Sequence, residues 1–219
     1  MDARTAPHLA LPDPAGRRIG LFGGSFNPPH PGHVAIARAA LTRLDLSEVW
    51  WMVSPQNPLK DPRETSDFQE RLAATRHIVQ RVDPRFRVID IESKLKTRYT
   101  AQTLRLLQPV FDRGRFVWIM GADSFAGLHR WNEWRVIPET LPLAVFARPD
   151  WCLKALSSPA ARVLENYRID PNHARLLPEL APPAWCFLTM PLRPESSTAI
   201  RRSRTVGEAS RPRQTVMLD

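Results

Sequence analysis

Two histidines that lie three positions apart give this chain its first sign of chemistry. His30 and His33 close the run Gly-Gly-Ser-Phe-Asn-Pro-Pro-His-Pro-Gly-His at residues 23–33, here called the histidine segment. Its glycines allow the backbone to approach a ligand and to offer N–H groups to phosphate. Pro31 suits a first helical turn, so both imidazoles are expected at a helix N-terminus, where they can donate to an anion. The segment therefore predicts a phosphate site rather than a loop with two surface histidines.

A second run with phosphate-binding character lies near the C-terminus, at residues 195–201, here called the hydroxyl segment. Ser196, Ser197 and Thr198 favour a helix start, where hydroxyls and unpaired N–H groups bind anions. Arg201 follows about one helical turn later and adds a donor for charge-assisted bonds to phosphate. An ordinary capped helix with a solvated arginine would give the same pattern.

Two inner segments offer groups for a second, smaller ligand. Asn57 and Lys60 follow an apolar run, and Lys60 can steer a phosphate, although a solvated lysine in a turn is an equally good interpretation. Tyr99 and Thr100 begin a segment of helical periodicity with Thr100 as its cap. The first amides of that helix can hold a carboxylate, and a plain helix start is the alternative.

Aspartate, tryptophan and arginine residues further along add groups that suit a ribose, an aromatic ring and a phosphate. Gly121 and Asp123 follow the most apolar run of the chain, and the Asp123 carboxylate suits ribose hydroxyls. Trp131 and Trp134 are three positions apart. Aromatic faces there can stack on a ring, but core packing is the simpler interpretation for Trp134. Arg148 ends another apolar run.

Six short apolar runs alternate with longer segments of helical periodicity, which is the pattern of a parallel sheet covered by helices. The runs are residues 19–22, 49–53, 86–89, 116–120, 142–146 and 185–188, and helices are expected near 34–44, 68–79 and 101–107 and again from Ser197 or Thr198. Ser66 is the expected N-cap of the second helix. The pattern predicts an α/β fold, a doubly wound Rossmann-like parallel sheet with flanking helices. We expect a single domain over residues 18–203 and flexible extensions at residues 1–17 and 204–219.

Such a sheet binds its ligands at the carboxyl ends of its strands. The chemistry is therefore expected directly after Phe22, Val53, Met120, Phe146 and Leu188. Both phosphate segments follow one of these strand ends, and so do the segments that contain Lys60, Asp123 and Arg148.

Composition and charge narrow the class of protein. With 219 residues, 43% of them hydrophobic, the chain can build one substantial core, and no apolar run reaches the roughly 20 residues of a membrane span. Cys152 and Cys186 form no CxxC pair, which disfavours a zinc site or a disulfide framework and fits a reduced, cytoplasmic protein. The net charge of +9 is spread along the chain without interleaved aromatic residues, so it suits a polyphosphate substrate as well as a nucleic acid.

The histidine segment resembles the HxGH signature of the adenylyl- and cytidylyltransferase superfamily, in the form found in bacterial nicotinate-nucleotide adenylyltransferases. The hydroxyl segment is similar to the second signature of that family, SSTxIR. Glu195 departs from the family pattern, since an apolar residue is common there, and its carboxylate would repel a triphosphate unless it points away. Three inner elements of the family, PxNPxxK, YTAQTL and GxDS, are similar to residues 54–60, 99–104 and 121–124, and its Arg-Pro element is similar to Arg148 and Pro149.

The resemblance implies an enzyme that moves the adenylyl group of ATP onto nicotinate mononucleotide in NAD biosynthesis, with Mg²⁺ held chiefly by substrate phosphates and water. It implies that His30, His33 and Arg201 are catalytic and that Trp131 stacks on the pyridine ring. It implies ATP contacts at Gly23, Gly24, Ser25, Phe26, His30, His33, Gly121, Asp123, Ser196, Ser197, Thr198 and Arg201, and acceptor contacts at Asn57, Lys60, Tyr99, Thr100, Trp131 and Arg148. No resident metal site, nucleic-acid partner or membrane partner is expected.

Both signatures give the reaction type and leave the acceptor open. Nicotinamide mononucleotide or phosphopantetheine is the alternative acceptor, because a preference for a carboxylate rests on a single functional group. A noncatalytic protein that binds nucleotides or RNA is the alternative from a different class. The paired histidines and the intact Ser-Ser-Thr and Arg pattern favour the enzyme.

Overall fold

Six parallel strands form one sheet, which confirms the predicted fold class. The coordinates are a computed structural model that describes residues 11–55, 65–191, 195 and 197–201 of the 219-residue chain. The strands are β1 (Arg18–Gly24), β2 (Glu48–Val53), β3 (Phe86–Ile89), β4 (Arg115–Gly121), β5 (Leu143–Phe146) and β6 (Trp185–Leu188). All six predicted strands are present at the expected places.

The strand order is β3-β2-β1-β4-β5-β6, so the direction of winding reverses once. From β1 the chain builds β2 and β3 on one side and then returns to place β4 on the other side of β1. At such a switch point the loops that leave the two strands diverge to opposite faces of the sheet and leave a crevice between them. The carboxyl ends of β1 and β4 are therefore the expected binding edge.

Both faces of the sheet are buried under hydrophobic clusters. Successive side chains of a strand point to opposite faces and so enter different clusters. Along β2, Trp50 and Met52 belong to one hydrophobic cluster, and Val49 and Trp51 belong to the other. All four side chains are essentially inaccessible to solvent. Burial on both faces requires helices on both faces, as in other parallel sheets.

Eight α-helices lie between β1 and β6 in the described part of the chain. They are α1 (Pro31–Arg43), α2 (Phe68–Gln80), α3 (Ile91–Leu95), α4 (Thr100–Phe111), α5 (Ala122–Ala126), α6 (Val136–Thr140), α7 (Cys152–Leu156) and α8 (Pro159–Val163). Helices α1 and α2 pack on one face, and α3 to α8 pack on the other. Residues 197–201 are helical, and 3₁₀ segments cover Leu128–Arg130, Glu165–Tyr167 and Pro171–Glu179. Within the described ranges, every helix is too short or too polar to cross a membrane.

The start of α2 differs from the prediction, because its N-cap is Asp67 and not Ser66. Oδ1 of Asp67 accepts the N–H groups of Gln69 at 2.7 Å and Glu70 at 3.3 Å. A carboxylate caps a helix as well as a hydroxyl does. The carbonyl of Ser66 accepts a hydrogen bond from Arg71 instead.

The start of α4 also shifts by one residue. Tyr99 occupies the cap position and Thr100 is the first helical residue, while Oε1 of Gln102 accepts the N–H of Tyr99 at 3.3 Å. The helix continues past its predicted end and across Pro109 to Phe111. A proline removes one helical hydrogen bond. Burial of Phe111 against the sheet, at 7% exposure, favours the longer helix.

Candidate active site

A cavity of about 450 Å³ opens at the carboxyl edge of the sheet, and its size suits a nucleotide-sized ligand. Its walls include residues that follow β1, β2, β4, β5 and β6, as the topology predicts. All the candidate residues of the histidine segment line it, namely Gly23, Gly24, Ser25, Phe26, His30 and His33.

The inner segments and the hydroxyl segment supply the other walls. The predicted residues that line the cavity there are Tyr99, Thr100, Gly121, Asp123, Trp131, Arg148, Ser197 and Thr198. Arg201 is not a lining residue, because its guanidinium contacts the backbone of the histidine segment. Asn57, Lys60 and Ser196 lie outside the described residues.

The two histidines occupy the N-terminus of α1, as predicted. His30 is the N-cap residue, and Pro31 is the first residue of the helix. Nδ1 of His30 accepts the N–H of Gly32 at 3.1 Å, and Nδ1 of His33 accepts the N–H of His30 at 3.2 Å. The ring centroids are 3.8 Å apart. A nitrogen that accepts a hydrogen bond carries no proton, so the donor of each ring is Nε2.

Burial keeps the His30 imidazole neutral. The residue is 2% exposed, and desolvation is the largest cause that lowers its pKa from 6.5 to about 4. The positive charge of Arg148 also lowers the pKa, and the carboxylate of Glu195 acts in the opposite direction. A neutral ring with its proton on Nε2 can donate to a phosphate throughout the neutral pH range.

Two glycines of the histidine segment make room for neighbouring rings. A Cβ atom on Gly32 would lie 2.9 Å from Nδ1 of His30, and a Cβ atom on Gly23 would lie 2.5 Å from the indole of Trp118. Both rings line the cavity. A larger residue at either position would therefore displace a wall of the cavity, which is a reason for glycine in addition to the approach of a ligand.

The hydroxyl segment packs directly on the histidine segment. Oγ of Ser197 donates to the carbonyl of Pro28 at 3.0 Å, and Nη1 of Arg201 donates to the carbonyl of Asn27 at 2.7 Å. These partners are 169 and 174 positions apart in the sequence. The two predicted phosphate-binding segments therefore meet at the same cavity.

Arg148 connects the end of β5 with the hydroxyl segment and with the loop after β4. Its Nη2 donates to the carbonyl of Glu195 at 3.2 Å, and its Nε lies 3.8 Å from Oδ1 of Asp123. The Glu195 side chain is not part of the cavity wall, and its Oε2 is buried without a hydrogen-bond partner among the described residues. The carboxylate that departs from the family pattern is thus kept out of the cavity.

Aromatic and helical groups form the remaining wall. Tyr99 and Thr100, at the start of α4, line the cavity together with the half-buried Trp131. Trp134 is 9% exposed and belongs to the core, as predicted. The wall therefore combines an indole face with the N-terminus of a helix that has twelve residues.

Sequence reasoning missed eleven other residues of the cavity wall, and those with polar or aromatic side chains include Ser54, Glu92, Arg98, Arg130 and Trp151. Arg98 and Arg130 immediately precede Tyr99 and Trp131, so their neighbours in sequence could have indicated them. Glu92 gave no such signal, because its carboxyl reaches the site only through the packing of α3. Its burial raises the pKa of that carboxyl, and hydrogen bonds with Ser54 and Thr103 act in the opposite direction.

The donors of this site suit phosphate better than a resident metal ion. Within the described ranges, no three His, Cys, Asp or Glu side chains are grouped so that they could hold a metal. Cys152 and Cys186 are free thiols, and burial raises the pKa of Cys186 to about 12. Imidazole, hydroxyl and guanidinium donors around one cavity can bind a polyphosphate and stabilise charge as a phosphoryl group is transferred.

An open doubly wound sheet with two phosphate-binding segments at its carboxyl edge defines a nucleotide-binding α/β protein. The sequence model of the cytidylyltransferase-like family matches residues 21–203, and the chain belongs to that family.

Similar proteins point to a narrower group within the family. The chain is 50% identical over 184 residues to a probable nicotinate-nucleotide adenylyltransferase of Ruegeria sp. (strain TM1040), which covers 84% of this chain and 96% of the relative. A probable nicotinate-nucleotide adenylyltransferase of Brucella suis biovar 1 is 45% identical, over 84% of this chain and 94% of the relative. The nicotinic acid mononucleotide adenylyltransferase of Plasmodium falciparum, solved in complex with NaAD, has the same fold, with a TM-score of 0.61 at 16% identity over 85% of this chain and 83% of the other.

The lowered pKa of His30 predicts an effect of pH on stability. Between about pH 4 and pH 6.5 the unfolded chain binds a proton at this residue and the native protein does not, so the free energy of unfolding falls as the pH falls through that range. His30→Asn keeps a hydrogen-bond acceptor at the cap but has no imidazole to protonate. Between pH 7 and pH 5 we therefore expect its free energy of unfolding to fall by about 2 kcal/mol less than that of the unsubstituted protein.

Urea unfolding at both pH values measures this difference. The exposed His173 lies outside the cavity wall, so His173→Asn provides the control for the loss of a histidine elsewhere in the protein. An equal fall in stability for His30→Asn and the unsubstituted protein would contradict a neutral, buried His30.

Proposed function

We propose that this chain transfers the adenylyl group of ATP to nicotinate mononucleotide, giving nicotinate adenine dinucleotide and pyrophosphate in a step of NAD biosynthesis. The contact between the hydroxyl segment and the histidine segment carries this proposal, because it places two sets of phosphate donors around one cavity. The relatives that are 45–50% identical to the chain support the same activity by their names.

The ATP phosphates are assigned to the wall that the two segments share. Nε2 of His30 and His33 and the hydroxyl of Thr198 are the donors on this wall. The hydroxyl of Ser197 also lines the wall, but its one hydrogen is donated to the carbonyl of Pro28. Arg201 acts on the phosphate site through Asn27, whose carbonyl it binds. Asp123, which follows β4, remains the candidate for the ribose hydroxyls.

The transfer needs little covalent help from the protein. An oxygen of the acceptor phosphate attacks the α-phosphorus of ATP, the bond from that phosphorus to the bridging oxygen breaks, and pyrophosphate leaves with the bond electrons. The attacking phosphate is already ionised at neutral pH, so no general base is required. Catalysis consists of alignment and of stabilising the charge that develops on the α-phosphate and the leaving group. Mg²⁺ enters with ATP as part of the substrate complex, held by phosphate oxygens and water.

The acceptor is assigned to the wall formed by the start of α4 and by Trp131. The first amides of α4, next to Tyr99 and Thr100, suit the pyridine carboxylate, and the indole of Trp131 suits the pyridine ring. Arg148 remains a candidate for a phosphate contact, and Asn57 and Lys60 remain predictions from the sequence. Burial raises the pKa of the Glu92 carboxyl, which lines the same cavity.

A panel of acceptors tests the reaction itself. Pyrophosphate release should be fastest with ATP and nicotinate mononucleotide, slower with nicotinamide mononucleotide, and slowest with phosphopantetheine, because only the first carries the carboxylate. Faster release with another acceptor would reassign the substrate. Salt-dependent binding of nucleic acid without turnover of any acceptor would contradict the enzyme.

Removal of one imidazole tests the phosphate wall. We expect His33→Ala to lower kcat by about a hundredfold with the fold intact, because one preorganised donor to the transition state is lost. The exposed His173 again provides the control, since His173→Ala should keep full activity. Undiminished adenylyl transfer by folded His33→Ala would contradict the assignment.

Removal of the indole tests the acceptor wall. We expect Trp131→Ala to raise KM for nicotinate mononucleotide by about tenfold and to change KM for ATP much less, since the ring stacks only on the acceptor. Trp131→Phe retains an aromatic face and should recover much of the loss. Steady-state kinetics with each substrate varied in turn measures both effects, and an unchanged acceptor KM in Trp131→Ala would remove the stacking role.

A further inference from the structure

Arg71 is a buried arginine beside the site that no motif identifies. It lies in the first turn of α2 and is 2% exposed. Its guanidinium donates four hydrogen bonds, and all four acceptors are backbone carbonyls. These carbonyls belong to Ser25, Ser54, Pro55 and Ser66.

One nitrogen of this guanidinium joins the loops that follow two adjacent strands. Nη1 of Arg71 donates to the carbonyl of Ser25 at 2.7 Å and to the carbonyl of Ser54 at 2.7 Å. Ser25 follows β1 in the histidine segment, and Ser54 follows β2. Both serines line the cavity. Two N–H bonds of a single atom therefore bridge these two parts of the wall, next to a backbone hydrogen bond from the N–H of Ser54 to the carbonyl of Gly24 at 3.0 Å.

The same guanidinium also supports the acceptor side of the cavity. Nη2 of Arg71 binds the carbonyl of Pro55, the residue after Ser54. The Ser54 side chain in turn hydrogen-bonds with Glu92, and Glu92 hydrogen-bonds with Thr103 in the first turns of α4. A continuous series of polar contacts thus runs from Ser25 in the histidine segment to α4, the helix that is assigned to the acceptor carboxylate.

Arginine is the one side chain that can make this set of bonds. Its guanidinium carries five N–H donors in a fixed plane, whereas lysine carries three donors on one atom. A buried cation whose hydrogen bonds go to no carboxylate loses hydration energy, which lowers the free energy of unfolding. Stability alone therefore does not explain an arginine at this position. Burial lowers the pKa of Arg71, and nearby Asp67 acts in the opposite direction. The geometry indicates a role in arranging the two loops.

We propose that Arg71 is a positioning residue for the transfer reaction. It holds Ser25 of the histidine segment and the two residues directly after β2, Ser54 and Pro55, in the register that aligns the two substrates. This inference rests on the proposed function. Arg71 contacts the loops and no reacting atom, so its effect is exerted through the carbonyls of Ser25 and Ser54.

This role predicts a specific separation of binding from turnover. Each loop can still bind its own substrate when Arg71 is replaced, but the attacking oxygen and the α-phosphorus are no longer held in line. A misplacement of about 1 Å can lower the rate by about a hundredfold. We therefore expect Arg71→Lys and Arg71→Gln to lower kcat by about 10- to 100-fold, while Kd for ATP alone and for the acceptor alone changes by no more than about threefold.

Arg76 provides a matched control on the same helix. Its side chain is 49% exposed and lies 3.9 Å from Asp90, so Arg76→Lys should change neither kcat nor the binding constants. Binding is measured by calorimetry with a non-reacting ATP analogue and, separately, with nicotinate mononucleotide. The stoichiometry of analogue binding counts the folded sites, and kcat is expressed per site. The unsubstituted protein in the same assay reports on the proposed function independently of Arg71.

The outcomes separate positioning from a structural role. A fall in kcat per binding site with nearly unchanged Kd values in either Arg71 variant would support the proposal. An unchanged kcat per site would overturn it, and so would a loss of rate that weaker binding of one substrate explains. Failure of both variants to fold would also overturn it, because Arg71 would then serve stability rather than alignment.

Discussion

The site depends on a contact between two segments that are remote in the sequence. Ser197 and Arg201 donate to the carbonyls of Pro28 and Asn27, although β4 and β5 lie between β1 and β6 in the sheet. Ser197 and Thr198 therefore lie at the carboxyl edge of the sheet beside the histidine segment, away from the end of β6. Their position closes one side of the switch-point crevice and turns an open edge into a cavity. Without this contact, the imidazoles and the hydroxyls would not line a common cavity.

The electrostatics of the cavity follow from this closure. His30 is desolvated by the packing of the two segments, and Arg148 and Glu195 act on its pKa in opposite directions. The ring therefore offers an N–H group without a full positive charge. A neutral donor that is already in place loses no hydration energy when the transition state forms. The guanidinium groups of Arg148 and Arg201 lie close by and donate to backbone carbonyls of the loops. These hydrogen bonds hold their positive charges in place near the cavity.

The sequence predicted the strands and both phosphate segments because each depends on local information. Runs such as Phe116 to Met120 are buried on both faces and are apolar throughout, and Pro31 with its neighbouring histidines marks the start of a helix. The sequence does not decide the cap of α2, since Ser66 and Asp67 are both good cap residues. In the structure Asp67 is the cap, and the backbone of Ser66 bonds to the side chains of Arg71 and Asn27. The short helices α3 and α5 to α8 were not predicted. Five residues give too few turns for a periodic pattern, and tertiary packing stabilises such helices.

Arg71, which the sequence did not reveal, binds carbonyls of the loops that line the cavity. Its role resembles that of Ser197 and Arg201, which were predicted as phosphate donors and also bind loop carbonyls. Loops at the ends of strands have few backbone partners of their own, and buried carbonyls require donors. In the described parts of the loops after β1 and β2, side chains supply those donors to six carbonyls, which belong to Ser25, Asn27, Pro28, Ser54, Pro55 and Ser66. The folding of the chain thus places these residues before any substrate arrives, and the free energy of substrate binding remains available for aligning the acceptor with ATP.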